Sequence, residues 1–126
     1  MNAETVVLEL WACVQARDWP GMRRLLSDDL VVEWPVTGET FVGPDNYVAV
    51  QSEYPEGWSI RVLQVIAHGE SVAAEVEVPQ EDVGIFRLAM FATVRDGLIV
   101  QSKEYWSQLG VEQPPEWRAR YREPSA

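Results

Sequence analysis

The fold is decided by residues 28–45, which read DDLVVEWPVTGETFVGPD. The β-favouring residues 30–34 predict a short strand, and residues 35–38, with a proline and a glycine, predict a turn. Residues 39–42 then form the returning strand of a hairpin. A glycine and a proline end this pattern. Residues 45–54 then carry Tyr47, Val50, Gln51 and Tyr54 on one side, which predicts a third, short helix.

Two further helices are predicted ahead of this hairpin. Apolar residues recur at three- and four-residue spacing over residues 3–17, which is the stripe of an amphipathic helix. A second helix is predicted to start at Asp18, a good capping residue, and to end by residues 27–29. Its expected buried face consists of Met22, Leu25 and Leu26.

The region after the third helix is predicted to contain four long strands in two antiparallel pairs. The Asp96-Gly97 dipeptide is a strong hairpin signal for the second pair. The predicted strands cover residues 59–68, 71–78, 84–94 and 98–106. We therefore expect an α+β protein, in which three N-terminal helices pack on a strongly curved, mainly antiparallel sheet. Such a sheet forms a cone, and its open end is a natural apolar pocket.

Composition limits the functions that this chain can have. The chain has 126 residues, and 20 acidic against 10 basic side chains give a formal net charge of -10. This charge disfavours nucleic acids and membrane surfaces as partners. One cysteine, Cys13, and one histidine, His68, are too few for a typical zinc site. We expect no metal and no organic cofactor.

Length and hydropathy bound the domain organisation. We expect one domain over residues 1–126, with a core over 3–109 and a C-terminal tail over 110–126. The sequence contains neither an apolar run of 18 residues nor a basic segment followed by an apolar one. These observations predict a cytoplasmic protein.

The opening stretch, together with residues 96–99 (DGLI) and 104–106 (EYW), resembles the nuclear transport factor 2-like superfamily, and within it the SnoaL-like branch. The resemblance covers nearly the whole chain in the right order of elements. It implies the cystatin-like α+β cone, which is related in fold to ketosteroid isomerases and polyketide cyclases. It also implies dimerisation, which is common among members of the superfamily.

The resemblance indicates where the catalytic groups of ketosteroid isomerases would fall. The general-base aspartate that precedes a proline corresponds to Trp34, and the oxyanion-binding tyrosine corresponds to Leu10. The assisting acid corresponds to Met90, or to Phe91 if the hairpin register slips by one. Since all of these side chains are apolar, we expect no steroid isomerisation by that route. Ser107 stands where related cyclases often have an aspartate.

Parity with the family's pocket residues places Glu104 on the inner face of the last strand. The predicted pocket residues around it are Leu10, Trp34, Tyr47, Tyr54, Met90 and Trp106, with Gln51 or Gln64 as a further neighbour. An apolar surrounding would raise the pKa of Glu104 and poise it as a general acid or base. Alternatively, Glu104 accepts a hydrogen bond from a buried indole or phenol and only orients the pocket wall.

The opposite face of the sheet is predicted to carry large apolar side chains among basic ones. These are Leu63, Val65, Phe91, Ile99 and Tyr105, mixed with Arg61, Arg87 and Lys103. Such a face favours a twofold homodimer through the sheet. Glu75 and Glu77 alternate with apolar residues, so we expect both to be solvated.

Three functions agree with these residues. The first is a SnoaL-like protein that binds a small apolar or aromatic molecule in the cone, with catalysis left open. The second is a cofactor-independent cyclase, isomerase or epoxide hydrolase-type enzyme, in which Glu104 is the acid or base and Tyr47 or Tyr54 donates a hydrogen bond. The third is a non-catalytic protein-interaction module whose filled core leaves no pocket.

Overall fold

The computed structural model describes residues 1–123, in which helices cover one face of a single sheet. The helices are α1 (Ala3–Gln15), α2 (Trp19–Arg24) and α3 (Pro44–Glu53). The strands are β1 (Leu26–Trp34), β2 (Glu39–Val42), β3 (Arg61–His68), β4 (Ser71–Gln80), β5 (Gly84–Arg95) and β6 (Leu98–Gln108). A 3-10 helix, Glu116–Tyr121, follows in the predicted tail, of which residues 124–126 lie outside the described residues.

The sheet has six strands in the order β2-β1-β6-β5-β4-β3. Every neighbouring pair is antiparallel except β1 with β6, which is parallel. The predicted α+β class, the three helices and the mainly antiparallel sheet are therefore confirmed. Because β6 lies between β1 and β5, it connects the β1–β2 hairpin with the other three strands of the sheet.

The two N-terminal helices begin at side-chain caps. The Asn2 carboxamide oxygen accepts a hydrogen bond from the backbone N–H of Thr5 at 2.8 Å. The Asp18 carboxylate accepts one from the N–H of Gly21 at 2.9 Å, which confirms the predicted start of α2. The stripe of α1 is buried against the sheet, as predicted, through Val6, Val7, Leu10, Trp11 and Val14. Within residues 1–123, no helix is long and apolar enough to cross a membrane.

The boundary between α2 and β1 differs from the prediction. Leu26 opens β1 and does not belong to the buried face of α2, so the strand starts well before Leu30. The cause is pairing with β6, since the Ile99 N–H donates to the Leu25 carbonyl at 2.9 Å and Leu26 lies opposite Ile99. A partner so distant in sequence leaves no local signal.

Ile99 and Val65 were predicted to lie on the outer face of the sheet, but both pack into the core. Ile99 is fully buried, because the β5–β6 register shifts between Thr93 and Val94 and leaves Val100 as an extra residue. Val65 pairs with Ala74 and packs against the core, because a second register shift follows Val62. Each irregularity reverses the alternation on one side of it.

Glu77 is not solvated, in contrast to the prediction. Only 8% of Glu77 is exposed, and its carboxylate accepts two hydrogen bonds from the Arg87 guanidinium, at 2.8 and 3.0 Å. The Arg61 guanidinium lies 3.4 Å from its other oxygen. Cross-strand pairing places all three residues in one row, so the arginines shield the carboxylate from water.

Leu88 lies fully buried in the centre of β5, under the helices, so its replacement tests the packing of the core. We predict that Leu88→Ala lowers the free energy of unfolding by about 2–5 kcal/mol, measured by urea denaturation, because it leaves a cavity that the sheet cannot fill. Leu8→Ala is the matched control, since Leu8 on α1 is 41% exposed, and we expect a loss below about 1 kcal/mol. Equal losses in the two variants would contradict this arrangement.

Candidate functional site

Trp34 ends β1 directly before Pro35 and reaches across to β6. The parallel pairing of β1 with β6 sets Val32 beside Ser102. Trp34, two residues further along β1, therefore comes close to Glu104, two residues further along β6. The Trp34 indole Nε1 donates a hydrogen bond to Oε1 of Glu104 at 3.1 Å. The residue at the position of the isomerase base is therefore a hydrogen-bond donor to an acid.

Glu104 is fully buried and accepts three side-chain hydrogen bonds. In addition to the Trp34 indole, the hydroxyls of Tyr47 and Ser102 each donate to Oε2 at 2.7 Å. Ser102 precedes Glu104 by two residues, so strand alternation puts both side chains on the inner face. The three donors fix the orientation of the carboxylate. We call Glu104 and these three residues, Trp34, Tyr47 and Ser102, the Glu104 cluster.

Opposing effects act on the ionisation of this cluster. Burial raises the pKa of Glu104, and the hydrogen bonds from Tyr47, Ser102 and Trp34 oppose that rise. The pKa of Tyr47 is raised well above its ordinary value, first by burial and then by the neighbouring Glu104 carboxylate. Tyr47 therefore stays protonated and remains a donor.

A cavity of about 180 Å³ shares Trp34 with the Glu104 cluster. Among the described residues, none that lines this cavity carries a formal charge. The lining consists of Trp34, Thr37, Val50, Gln51, Tyr54, Trp58, Ile60, Val78, Gln80, Phe86 and Trp106. The ring of Trp106 packs edge-on against the ring of Trp34, with 6.4 Å between the ring centroids. The cavity wall is thus largely aromatic and apolar.

The predicted pocket residues fall into two groups in the structure. Trp34, Tyr54 and Trp106 line the cavity, and Gln51 does so as well. Leu10, Tyr47, Met90 and Glu104 are buried and are not part of the lining. Met90 lies opposite Glu104 in the β5–β6 pairing, whereas Leu10 belongs to the core face of α1.

Gln64 lies on the outer face of the sheet, away from both the cavity and the Glu104 cluster. Its side-chain amide donates to the Glu75 carboxylate at 3.1 Å. The register shift after Val62 changes which side chains of β3 point inward, so alternation from sequence does not identify Gln64 as an outer residue.

Sequence reasoning missed several residues of the cavity, above all Trp58 and Gln80. These two residues form an isolated β-bridge at one end of the cavity. Trp58 lies in the loop between α3 and β3, where no periodic pattern identifies an inward side chain. The signal that could have found it is its isolated position as a large aromatic residue just before a predicted strand.

Arg17 holds this loop against α1. Its guanidinium donates to the Glu56 carboxylate and to the Trp58 carbonyl, each at 2.7 Å, and lies 3.5 Å from the centroid of the Trp58 ring. The hydrogen bond from Arg17 also lowers the pKa of Glu56. Arg17 has a φ of 56°, which is uncommon for a residue with a side chain. This backbone turn directs the side chain towards the loop.

Residues 1–123 contain no group of three histidine, cysteine, aspartate or glutamate side chains that could hold a metal ion.

A curved sheet that wraps helices around a cavity is the architecture of nuclear transport factor 2-like proteins. One such structure, from Burkholderia xenovorans, matches with a TM-score of 0.78 and 20% identity, over 97% of this chain and 94% of that one. The family model of the SnoaL-like domain matches residues 7–102. The chain therefore belongs to the SnoaL-like domain family, which confirms the resemblance found in the sequence.

Other similar structures differ in the activities assigned to them. A proposed ketosteroid isomerase from Kribbella flavida has a TM-score of 0.90 and 26% identity, over 98% of this chain and 90% of that one. An LEH-like epoxide hydrolase from M. tuberculosis has a TM-score of 0.71 and 21% identity, over 83% of this chain and 82% of that one. At that identity the second likeness shows the fold alone. No curated protein matches the chain significantly.

The raised pKa of Glu104 predicts a specific pH dependence of stability. The folded protein holds the proton more tightly than the unfolded chain, whose pKa is about 4.5, so this stabilisation is complete below that pH and is lost as the pH rises towards the folded value. Relative to Glu104→Gln, the wild-type free energy of unfolding should therefore fall above pH 4.5, by at most about 1.4 kcal/mol per pH unit.

Urea denaturation between pH 4 and pH 8 measures this difference. Glu53→Gln, at the exposed end of α3, is the control and should parallel the wild type across the range. If Glu104→Gln also paralleled the wild type, the pKa of the carboxyl would be the same in the folded and unfolded states.

Proposed function

We propose that this SnoaL-like protein binds a small, uncharged, apolar or aromatic molecule in the cavity. The observation that carries the proposal is the uncharged, largely aromatic lining of that cavity. Transfer of apolar surface from water to such a wall is favourable, whereas an ion would lose its hydration without gaining a partner. The overall charge of -10 also disfavours anionic ligands.

The volume limits the size of the ligand. An apolar protein cavity of about 150 Å³ is known to hold one benzene molecule. The present cavity, at about 180 Å³, has room for one ring with a small substituent. A four-ring steroid skeleton is too large for this space. The volume therefore supports the expectation, drawn from Trp34, Leu10 and Met90, that steroids are not substrates.

The position of Glu104 favours binding over catalysis. Its carboxylate does not border the cavity, and both of its oxygens already accept hydrogen bonds from Trp34, Tyr47 and Ser102. A general acid or base has to reach the proton that it transfers. The arrangement supports Glu104 as the group that orients Trp34 in the wall, in preference to the role of acid or base in a cyclase, isomerase or epoxide hydrolase.

The outer face of the sheet supports a homodimer as the assembly of this protein. Phe91 is 54% exposed and packs edge-on against Tyr105, with ring centroids 6.2 Å apart. Ile66, in the same cross-strand row as Phe91, is 64% exposed. Exposed apolar groups on a sheet face associate readily, and a twofold axis would set the patch of one copy on that of another.

Ligand binding is tested with p-xylene, an uncharged single-ring molecule. At ten times its Kd the ligand should stabilise the wild type by about 1.4 kcal/mol, which raises Tm by roughly 3–8 °C in a thermal scan. Val50→Trp fills the cavity from α3 and should abolish the shift. Val42→Trp, at an exposed site of β2, is the control and should keep it. An unchanged shift in Val50→Trp would place p-xylene elsewhere.

The dimer is tested by analytical ultracentrifugation at micromolar concentration. We expect the wild type to sediment as a dimer and Phe91→Asp to weaken the dimer at least tenfold, because the aspartate buries a charge in the interface. Val36→Asp changes another exposed apolar residue, in the β1–β2 turn, and should leave the dimer unchanged. A monomeric wild type would contradict the proposal.

A further inference from the structure

Two of the side chains with polar groups in the largely apolar wall of the cavity lie side by side. Trp58 and Gln80 face each other in an isolated bridge, and both contribute to the lining. Trp58 is 7% exposed and Gln80 is 8% exposed, so bulk water has little access to either. Polar groups in such a position normally have hydrogen-bond partners.

Four residues of the lining have one buried polar atom each whose partner is not found within residues 1–123. Two of these atoms, Gln51 Nε2 and Trp106 Nε1, are donors outside the bridge, and the other two belong to Trp58 and Gln80. The atoms of the bridged pair are the indole Nε1 of Trp58, which is a donor, and the amide Oε1 of Gln80, which is an acceptor. One neighbouring polar group of each residue is occupied. The Gln80 Nε2 donates to the Pro55 carbonyl at 3.1 Å, and the Trp58 carbonyl accepts from Arg17 at 2.7 Å.

The contacts around this pair hold it in place. Because the Pro55 carbonyl needs a donor, it determines which end of the Gln80 amide is nitrogen and leaves the oxygen unpaired. The Arg17 guanidinium stacks on the Trp58 ring and also binds Glu56, so the loop that carries Trp58 is attached to the end of α1. The unpaired donor and acceptor are therefore preorganised, which lowers the entropic cost of binding a third group.

We propose that the ligand is a neutral, single-ring molecule with a hydroxyl group, which accepts a hydrogen bond from Trp58 Nε1 and donates one to Gln80 Oε1. This inference rests on the proposed binding function and names its ligand class. A hydroxyl is the smallest group that both accepts and donates. It suits a cavity of about 180 Å³ that holds little more than one ring. A carboxylate cannot donate, and it would meet the oxygen of Gln80.

The decisive comparison uses p-cresol and p-xylene, which have the same shape and differ in one hydroxyl for one methyl group. If apolar burial alone governed binding, the more hydrophobic p-xylene would bind more tightly. We expect the reverse order, with p-cresol binding about tenfold more tightly in isothermal titration calorimetry at pH 7, where it is uncharged.

Trp58→Phe identifies the donor, since it keeps an aromatic ring under Arg17 and removes the indole N–H, with p-xylene as the control for the smaller ring. In this variant the affinity for p-cresol should fall about tenfold, and the affinity for p-xylene should stay within twofold, which also shows that the cavity is intact. Trp117→Phe, in the exposed 3-10 helix, is the matched control and should change neither affinity.

The outcomes separate this inference from the function on which it rests. If neither molecule bound the wild type, the proposed binding function would fail. If p-xylene bound as tightly as p-cresol or more tightly, binding would stand and the hydroxyl-bearing ligand class would be overturned. A preference for p-cresol that survived in Trp58→Phe would overturn the assignment of Trp58 as the donor.

Discussion

A carboxylate in a protein core requires hydrogen-bond donors, because burial removes the water that would otherwise solvate it. Glu104 receives them from Trp34 on β1, Tyr47 on α3 and Ser102 on β6. β6 is far in sequence from β1 and α3, and all three elements donate to the same acceptor. The arrangement ties the first hairpin and the third helix to the long strands, and it sets the indole of Trp34 in the cavity wall. The shape of the binding site thus depends on an acid that does not border it.

Much of the fold follows from local pattern, and the exceptions share one physical cause. Alternation on β5 correctly identified Leu88 and Met90 as inward residues, since β5 pairs regularly with β4 along its length. The same reasoning failed for Val65 and Ile99. A register shift depends on the pairing of two strands, so the sequence of either strand alone does not reveal it.

The site divides in a similar way. The inward position of Glu104 followed from parity with related proteins, and its neighbours Trp34 and Tyr47 were expected as an indole and a phenol. Trp58 and Gln80 were missed, because Trp58 lies in a loop without a period and Gln80 lies beyond residue 78, the predicted end of its strand. The placement of Trp58 depends on Arg17, and this contact joins residues 41 positions apart.

The parallel pairing of β1 with β6 has a consequence for biosynthesis. A ribosome makes the chain from its N-terminus, so β1 is complete long before its central neighbour emerges. Until β6 follows, the first hairpin has no strand on its inner edge, and the apolar face of α1 lacks most of the sheet that will cover it. Contacts between such distant segments form slowly and leave apolar surface exposed in the meantime. The nascent chain therefore exposes apolar surface until β6 has been made, although the finished domain is small.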